Sequence, residues 1–220
     1  MSNPVKVDIW SDIACPWCFV GKRRFETAAA AFVAEGGELE IEYHSFELAP
    51  DTPVDFEGSE VDFLVAHKHM PAGQVEQMLA QMTELAAAEG LSYDFDALQH
   101  TNTVKAHELL HFAKTKGRQL DLVERLFAAY FEQGRHVGRV EDLADVAAEI
   151  GLDRDEALAA LNASTHLPDV VADKEQAMAY GISGVPFFVL DRRLGVSGAQ
   201  DPSAFAEALR EASNHAGASA

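Results

Sequence analysis

The chain is short of basic residues, holds only two cysteines and has no long apolar run, and each shortage removes a class of protein. Lys and Arg number 17 against 36 Asp and Glu, a formal net charge of −19. Binding along a nucleic-acid backbone needs clustered cations, so no nucleic-acid partner is expected. No run of 18 apolar residues occurs, so neither a spanning helix nor a membrane partner is expected. The first residues, Met1-Ser2-Asn3-Pro4, lead straight into "VKVDIW" with no basic stretch followed by an apolar one. That start makes a cytoplasmic location the expectation. A chain of 220 residues buries a core without staples, and two cysteines cannot form the disulfide framework of a small secreted domain. No repeat of fixed period, low-complexity tract or Pro/Gly/Ser linker is present.

What is present reads as a folded α/β protein, 48% hydrophobic and 24% charged. Val5, Val7 and Ile9 alternate with Lys6 and Asp8, a strand pattern that Trp10 closes. Phe25, Ala28, Ala29, Phe32 and Val33 follow at helical spacing, with Gly36-Gly37 as the stop. "LEIEYHSF" alternates again from Leu39. The opening is therefore strand, helix, strand. From about Glu57 to His166 only helical patterns occur. One stripe is Val75, Met78, Leu79, Met82 and Leu85; a second is Leu120, Val123, Phe127, Tyr130 and Phe131; a third is Leu143, Val146, Ala147 and Ile150. Asp153 with Glu156 reads as a capping box opening a fourth helix. A helix follows Pro168, then a strand from Phe187 to Leu190, a partner strand around Val196, and a last helix opened by Asp201-Pro202. The expected domains are 1–56 with 167–214, a helical insertion 57–166 that covers the site, and a frayed tail 215–220.

Cys15 and Cys18, the only cysteines, enclose Pro16 and Trp17 at the first strand-to-helix junction. With Cys15 as N-cap and Pro16 as first helical residue, the missing proline N–H costs nothing. The Cys15 sulfur then meets the positive end of the helix dipole and unpaired N–H groups, which favour a thiolate. Cys18, one turn on, can close a disulfide with Cys15 or release a mixed disulfide held by it. Pro16 and Trp17 are expected to tune the redox balance. Lys22, Arg23 and Arg24 either add to the positive field or form a solvated face, and Asp12 either modulates proton transfer or serves as a loop or cap residue, the second reading being preferred. This reading requires the two sulfurs to be adjacent, reachable from solvent and not joined through a metal.

Two metal motifs compete. Cys15 and Cys18 with His107 and His111 give half-sites of a zinc finger, but residues 19–106 intervene, where about 12–15 residues are usual. His107-Glu108-Leu109-Leu110-His111 matches HExxH. Its longer form needs Gly at 114 and His at 117, and the chain has Lys114 and Gly117; Glu132 is the remaining third ligand. The apolar stripe Ala106, Leu109, Leu110, Ala113 places the two histidines on its flank, as boundary residues. No metal is expected.

"SDIACPWCFVGKRRF", "TNTVKAHELLHFA", "YFEQGRHVG" and "GISGVPFFVLDRRLGVSGAQDP" together resemble the DsbA-like thioredoxin-fold oxidoreductases, FrnE-like subfamily. The resemblance covers nearly the whole chain. It implies a thioredoxin fold with an inserted all-helical domain, and a cis Val185-Pro186 peptide facing the cysteines and binding substrate. It implies a thiol-disulfide oxidoreductase or isomerase acting on a disulfide-bearing protein or small-molecule thiol. The cofactor is then the Cys15-Cys18 disulfide itself, with glutathione as a co-substrate. The alternative is a glutathione-dependent isomerase or transferase of a hydrophobic small molecule, similar to the kappa class, in which serine stands at the place of Cys15. A binding module with a vestigial pair is the third reading. Oligomeric state is not legible.

Overall fold

The computed structural model describes residues 4–217. The expected frayed tail, 215–220, lies outside the described side chains, and 218–220 outside the described residues. Among the described residues no helix is long and apolar enough to cross a membrane. The chain forms two compact units: the part up to Phe46 together with the part from Asp173 onward, and Glu47–Ala172.

The first unit is a four-stranded sheet with helices. β1 (Val5–Ser11) leads to α1 (Pro16–Ala34) and β2 (Leu39–Ser45). α8 (Leu167–Ala179) begins in the second unit and enters the first at Asp173, and it is followed by β3 (Phe187–Leu190), β4 (Leu194–Ser197) and α9 (Pro202–Gly217). The order across the sheet is β2-β1-β3-β4. β1 and β2 are parallel, Val5 opposite Leu39, while β3 runs antiparallel to both β1 and β4.

The alternation of "VKVDIW" points Val5, Val7 and Ile9 to one face. There Phe25 of α1, Phe188 of β3 and Phe205 of α9 pack ring on ring, at 4.6–5.6 Å between centroids. Each of these buried rings stabilises the fold by roughly 1.5–3 kcal/mol. The other face, which carries Lys6 and Asp8, is covered as well. Trp10 packs there with Ala177, Ile182 and Val189, and Val185, Phe187 and Phe46 pad the cluster. A parallel strand covered on both faces buries its polar positions too. Asp8 is accordingly buried, and its charge is met by neighbours described below.

The second unit is helical throughout: α2 (Glu60–Lys68), α3 (Ala72–Ala88), α4 (Val104–Thr115), α5 (Gln119–Phe131), α6 (Val140–Glu149) and α7 (Arg154–Asn162). Leu64 of α2 meets Val75 and Leu79 of α3, with Met78 against them. The stripe on α5 runs through Leu122, Val123, Leu126, Phe127, Tyr130 and Phe131. Leu120, counted in it from the sequence, is 43% exposed, because the buried face starts one residue earlier, at Gln119. Asp153 caps α7 by accepting from Glu156 N. A complete capping box, Ser59 with Asp62, opens α2 and was not read from the sequence.

α4 carries the HExxH motif and packs against α5, α6 and α7. Every residue from Ala106 to Ala113 is buried. The expectation of boundary histidines is thereby corrected: His107 and His111 sit inside, since the helix is enclosed on all sides rather than on one stripe.

Candidate redox site at the first strand-to-helix turn

β1 ends at Ser11, and the chain turns through Asp12, Ile13 and Ala14 into α1. Asp12 builds this turn: its carbonyl accepts from Cys15 N at 3.1 Å and its carboxylate from Ala14 N at 3.3 Å. Cys15 is the N-cap, with φ −92° and ψ 109°, and Pro16 begins the helix. Cys18 N donates to Cys15 O at 3.0 Å, closing the first turn around the pair. Both cysteines are free thiols.

Opposite them the Val185-Pro186 peptide is cis. The Cys15 thiol donates toward Val185 O at 3.6 Å. Pro186 is pinned from two sides. Its carbonyl accepts from Gly198 N at 2.8 Å, just past β4. Gly21 of α1 lies against its ring. Arg24 ties α1 to the same corner by donating to Ala199 O at 2.8 Å. Gly198 and Ala199 thus bring α1, β3 and β4 to one point.

The cysteines differ in electrostatics. Burial pushes the Cys18 thiol well up, and the adjacent Cys15 pushes the same way; the Ser11 hydroxyl and the Asp12 N–H pull down and lose. Cys18 therefore holds its proton tightly. Cys15 was expected to be the accessible sulfur, but only 3% of its surface is open, against 2% for Cys18. The N-cap position fixes the sulfur close to the Val185 carbonyl, so the requirement that both sulfurs be reachable from solvent is not met in this structure, and a substrate has to displace this cover to reach Cys15. Trp17 is the outward member of the motif, 44% exposed.

The basic trio is engaged locally. Lys22, itself buried, and Arg23 both pair with Glu26, at 2.5 and 3.0 Å, and Arg23 also stacks over Phe19.

Sequence reasoning missed a network joining β1, β2 and α8. His44 of β2 donates from Nδ1 to Asp173 of α8 at 2.7 Å and from Nε2 to Asp8 of β1 at 2.9 Å. Its ring stacks on Trp10, 4.5 Å between centroids. Burial alone would lower its pKa, but the bonds to Asp173 and Asp8 outweigh that and lift it to about 9. Burial raises the Asp8 carboxyl, yet His44 and Lys6 hold it below its ordinary value. Asp173 also accepts from Ser45 N at 2.7 Å, and its carbonyl accepts from Trp10 Nε1 at 3.1 Å. The signal lay in the two alternating runs: parallel pairing sets Asp8 beside Glu42, with His44 two residues on, on one face.

Asp8, Glu42 and His44 form the one group of three ligand-type side chains that converge within 4.8 Å among the described residues. Lys6 Nζ already sits 3.2 Å from Asp8 and 3.5 Å from Glu42, so the group is an ion-pair network with its own cation. The HExxH residues do not converge in this way. Glu108 pairs with Lys105 at 2.8 Å. Glu132 accepts from Ser92 N at 2.9 Å.

A sheet in the order β2-β1-β3-β4, with a CxxC at the start of α1 facing a cis-proline, defines a thioredoxin-fold protein of the dithiol kind. Residues 6–210 match the DSBA-like thioredoxin domain family, and the chain belongs to that family. The probable DsbA oxidoreductase SCO1869 of Streptomyces coelicolor is 41% identical, with 94% of this chain and 89% of that one covered at a TM-score of 0.87. YwbO of Bacillus subtilis is 27% identical, over 94% of this chain and 96% of its own length. The cytosolic disulfide reductase DsbM of Pseudomonas aeruginosa, solved with GSH, shares the fold at 19% identity and a TM-score of 0.66, covering 94% of this chain and 98% of its own. The fold and family read from the sequence are borne out, including the helical insertion between β2 and α8. The members of this family act on disulfides as oxidoreductases or isomerases.

Proposed function

We propose that this chain is a thiol-disulfide oxidoreductase in which Cys15 attacks, Cys18 resolves and Val185-Pro186 docks the substrate. The observation that carries the reading is the placement of the Cys15 sulfur 3.6 Å from Val185 O, with Cys18 one helical turn behind. The Cys15 thiolate attacks a substrate disulfide R–S–S–R′, forming Cys15–S–S–R and releasing R′–S⁻, which takes a proton. Cys18 then attacks the Cys15 sulfur, forming the Cys15–Cys18 disulfide and releasing R–S⁻. Two electrons pass from the dithiol to the substrate; the reverse sequence oxidises a substrate dithiol. Because Cys15 is almost covered, the substrate backbone takes over the neighbourhood of the Val185 carbonyl as it approaches, pairing with it as an added strand would.

Pro16 and Trp17 set the turn and the polarity around the sulfurs, and so the redox balance. The redox group is the cysteine pair itself, and glutathione serves as the co-substrate that resets it. The site of action in this proposal is the cytoplasm, where a glutathione pool keeps a moderately oxidising pair reduced and favours reductase or isomerase work. Disulfide-bearing proteins and small-molecule disulfides are the substrates. A glutathione-dependent isomerase or transferase needs a single group at position 15 and leaves Cys18 without a role, which is why the exchange reading is preferred.

The test is equilibration of the purified protein in glutathione redox buffers, with the thiol state read by mass spectrometry, alongside reduction of a model disulfide. A reversible Cys15–Cys18 disulfide and complete loss of activity in Cys15→Ser are expected. Activity retained in Cys15→Ser would overturn the proposal.

A further inference from the structure

Ser11 closes β1 directly ahead of the cysteine turn. Its backbone lies in the sheet: it pairs with Ser45 of β2, and its carbonyl accepts from Phe46 N at 3.1 Å. Its side chain is different. Ser11 is 5% exposed, and Oγ is buried with no hydrogen-bond partner. A buried hydroxyl left in that condition is costly and calls for a reason. The neighbour it faces is the sulfur of Cys18, whose ionised form it favours. Once ionised, Cys18 becomes a strong acceptor for the waiting O–H.

We propose that Ser11 is a positioning residue for the resolving step, its hydroxyl donating to the Cys18 sulfur whenever that sulfur carries negative charge. The inference rests on the exchange reading above. When Cys18 attacks the mixed disulfide, its S–H proton leaves, its sulfur bonds to Cys15, the Cys15–S–R bond breaks, and the departing R–S⁻ takes up a proton. In the oxidising direction a substrate thiolate attacks Cys15 and Cys18 departs as the thiolate. The same hydroxyl serves both directions, and no net proton passes through it. The Asp12 N–H is the second donor to the same sulfur. Cys18 is buried, so neither donor competes with bulk water, and each is worth more than it would be in solution. Ser11 has no part in the first attack, which occurs at Cys15.

The experiment separates the two steps. Reduced protein is mixed with oxidised glutathione and quenched in acid at intervals across a pH series. Mass spectrometry then follows the dithiol, the Cys15–glutathione adduct and the internal disulfide. In Ser11→Ala the adduct is expected to accumulate and resolve about tenfold more slowly or worse, as loss of a charge-assisted hydrogen bond implies. Its resolution profile should move to higher pH while adduct formation keeps its parent rate. Ser11→Thr, which keeps the hydroxyl, should restore resolution. Resolution by Ser11→Ala at the parent rate and pH profile would overturn the inference while leaving the exchange reading intact. Equal slowing of both steps together with a lowered Tm would overturn it as well, since Ser11 would then act through the fold alone. A parent protein that never forms the adduct would overturn the exchange reading, and this inference with it.

Discussion

Gly21 of α1 presents bare backbone to the ring of Pro186: a Cβ at that position would lie 2.9 Å from Pro186 Cγ and 3.4 Å from Ala199 Cβ. The helix that holds the thiols can seat against the loop that holds Val185 only because position 21 has no side chain. In Gly21→Ala the gain in helix propensity, about 1 kcal/mol, opposes overpacking of about 1–3 kcal/mol. A proline ring cannot swing aside as a long side chain does. Net destabilisation of about 1 kcal/mol by urea titration is expected, with slower disulfide exchange. A variant more stable than the parent would contradict this.

Cys18→Ser leaves the attacking thiol in place and removes its partner. Mixed with oxidised glutathione or a disulfide-bearing peptide, it should hold the substrate on Cys15 as a stable adduct visible by mass. The parent under the same conditions should show the internal disulfide. An unlabelled Cys18→Ser protein would count against Cys15 as the attacking sulfur.

His44 has a folded pKa of about 9 against 6.5 for a free histidine. The protonated ring binds Asp8 and Asp173, so its contribution is fully present below pH 6.5 and disappears as pH rises through about 9. The shift corresponds to on the order of 3 kcal/mol. Lys6, which faces Asp8 and Glu42, stays charged across this window, since its own pKa is raised. Urea unfolding at steps from pH 6 to 10 should show stability falling over the upper part of the range. His44→Asn should be less stable at pH 6.5 by roughly 3–5 kcal/mol, because two buried carboxylates lose their partner, and its profile between those limits should be flatter.

Trp17→Ala should separate stability from redox balance. The ring is 44% exposed, so Tm should change little and unfolding free energy by no more than about 0.5 kcal/mol. The dithiol-disulfide equilibrium against glutathione should move by about tenfold, equivalent to about 30 mV. An unchanged equilibrium would remove Trp17 from the tuning role.

Treatment with a strong chelator, followed by buffer exchange, should leave both disulfide exchange and Tm at parent values. A loss of exchange activity restored by zinc would return His107, Glu108 and His111 to consideration.

The strands and most helices were legible because their apolar periods are clean: Val5, Val7 and Ile9 at spacing two, Val75, Leu79 and Met82 at helical spacing. Phe187–Leu190 was read with the bounds the structure gives it. The cysteine turn was legible for a local reason: a CPWC placed where a strand ends and a helix begins has few other conformations open to it. What escaped depends on contacts distant in sequence. Asp173 lies 129 residues from His44, and nothing near either residue announces the pair. The α4 histidines were misplaced for a related reason: a helix's own sequence shows its most apolar stripe, whereas three neighbouring helices decide how much of the rest is covered. The cover over Cys15 was equally invisible, since the carbonyl that it meets comes from residue 185.

That cover makes the girth of a reagent matter as much as its reactivity. With 3% of Cys15 open, a slim alkylator such as iodoacetamide should label the native reduced protein far faster than a polymer-tethered maleimide, and the gap should close once the protein is unfolded in urea. The protein would screen its environment by thickness first, admitting extended chains and small disulfides ahead of folded surfaces whose sulfurs lie flush with their own backbone.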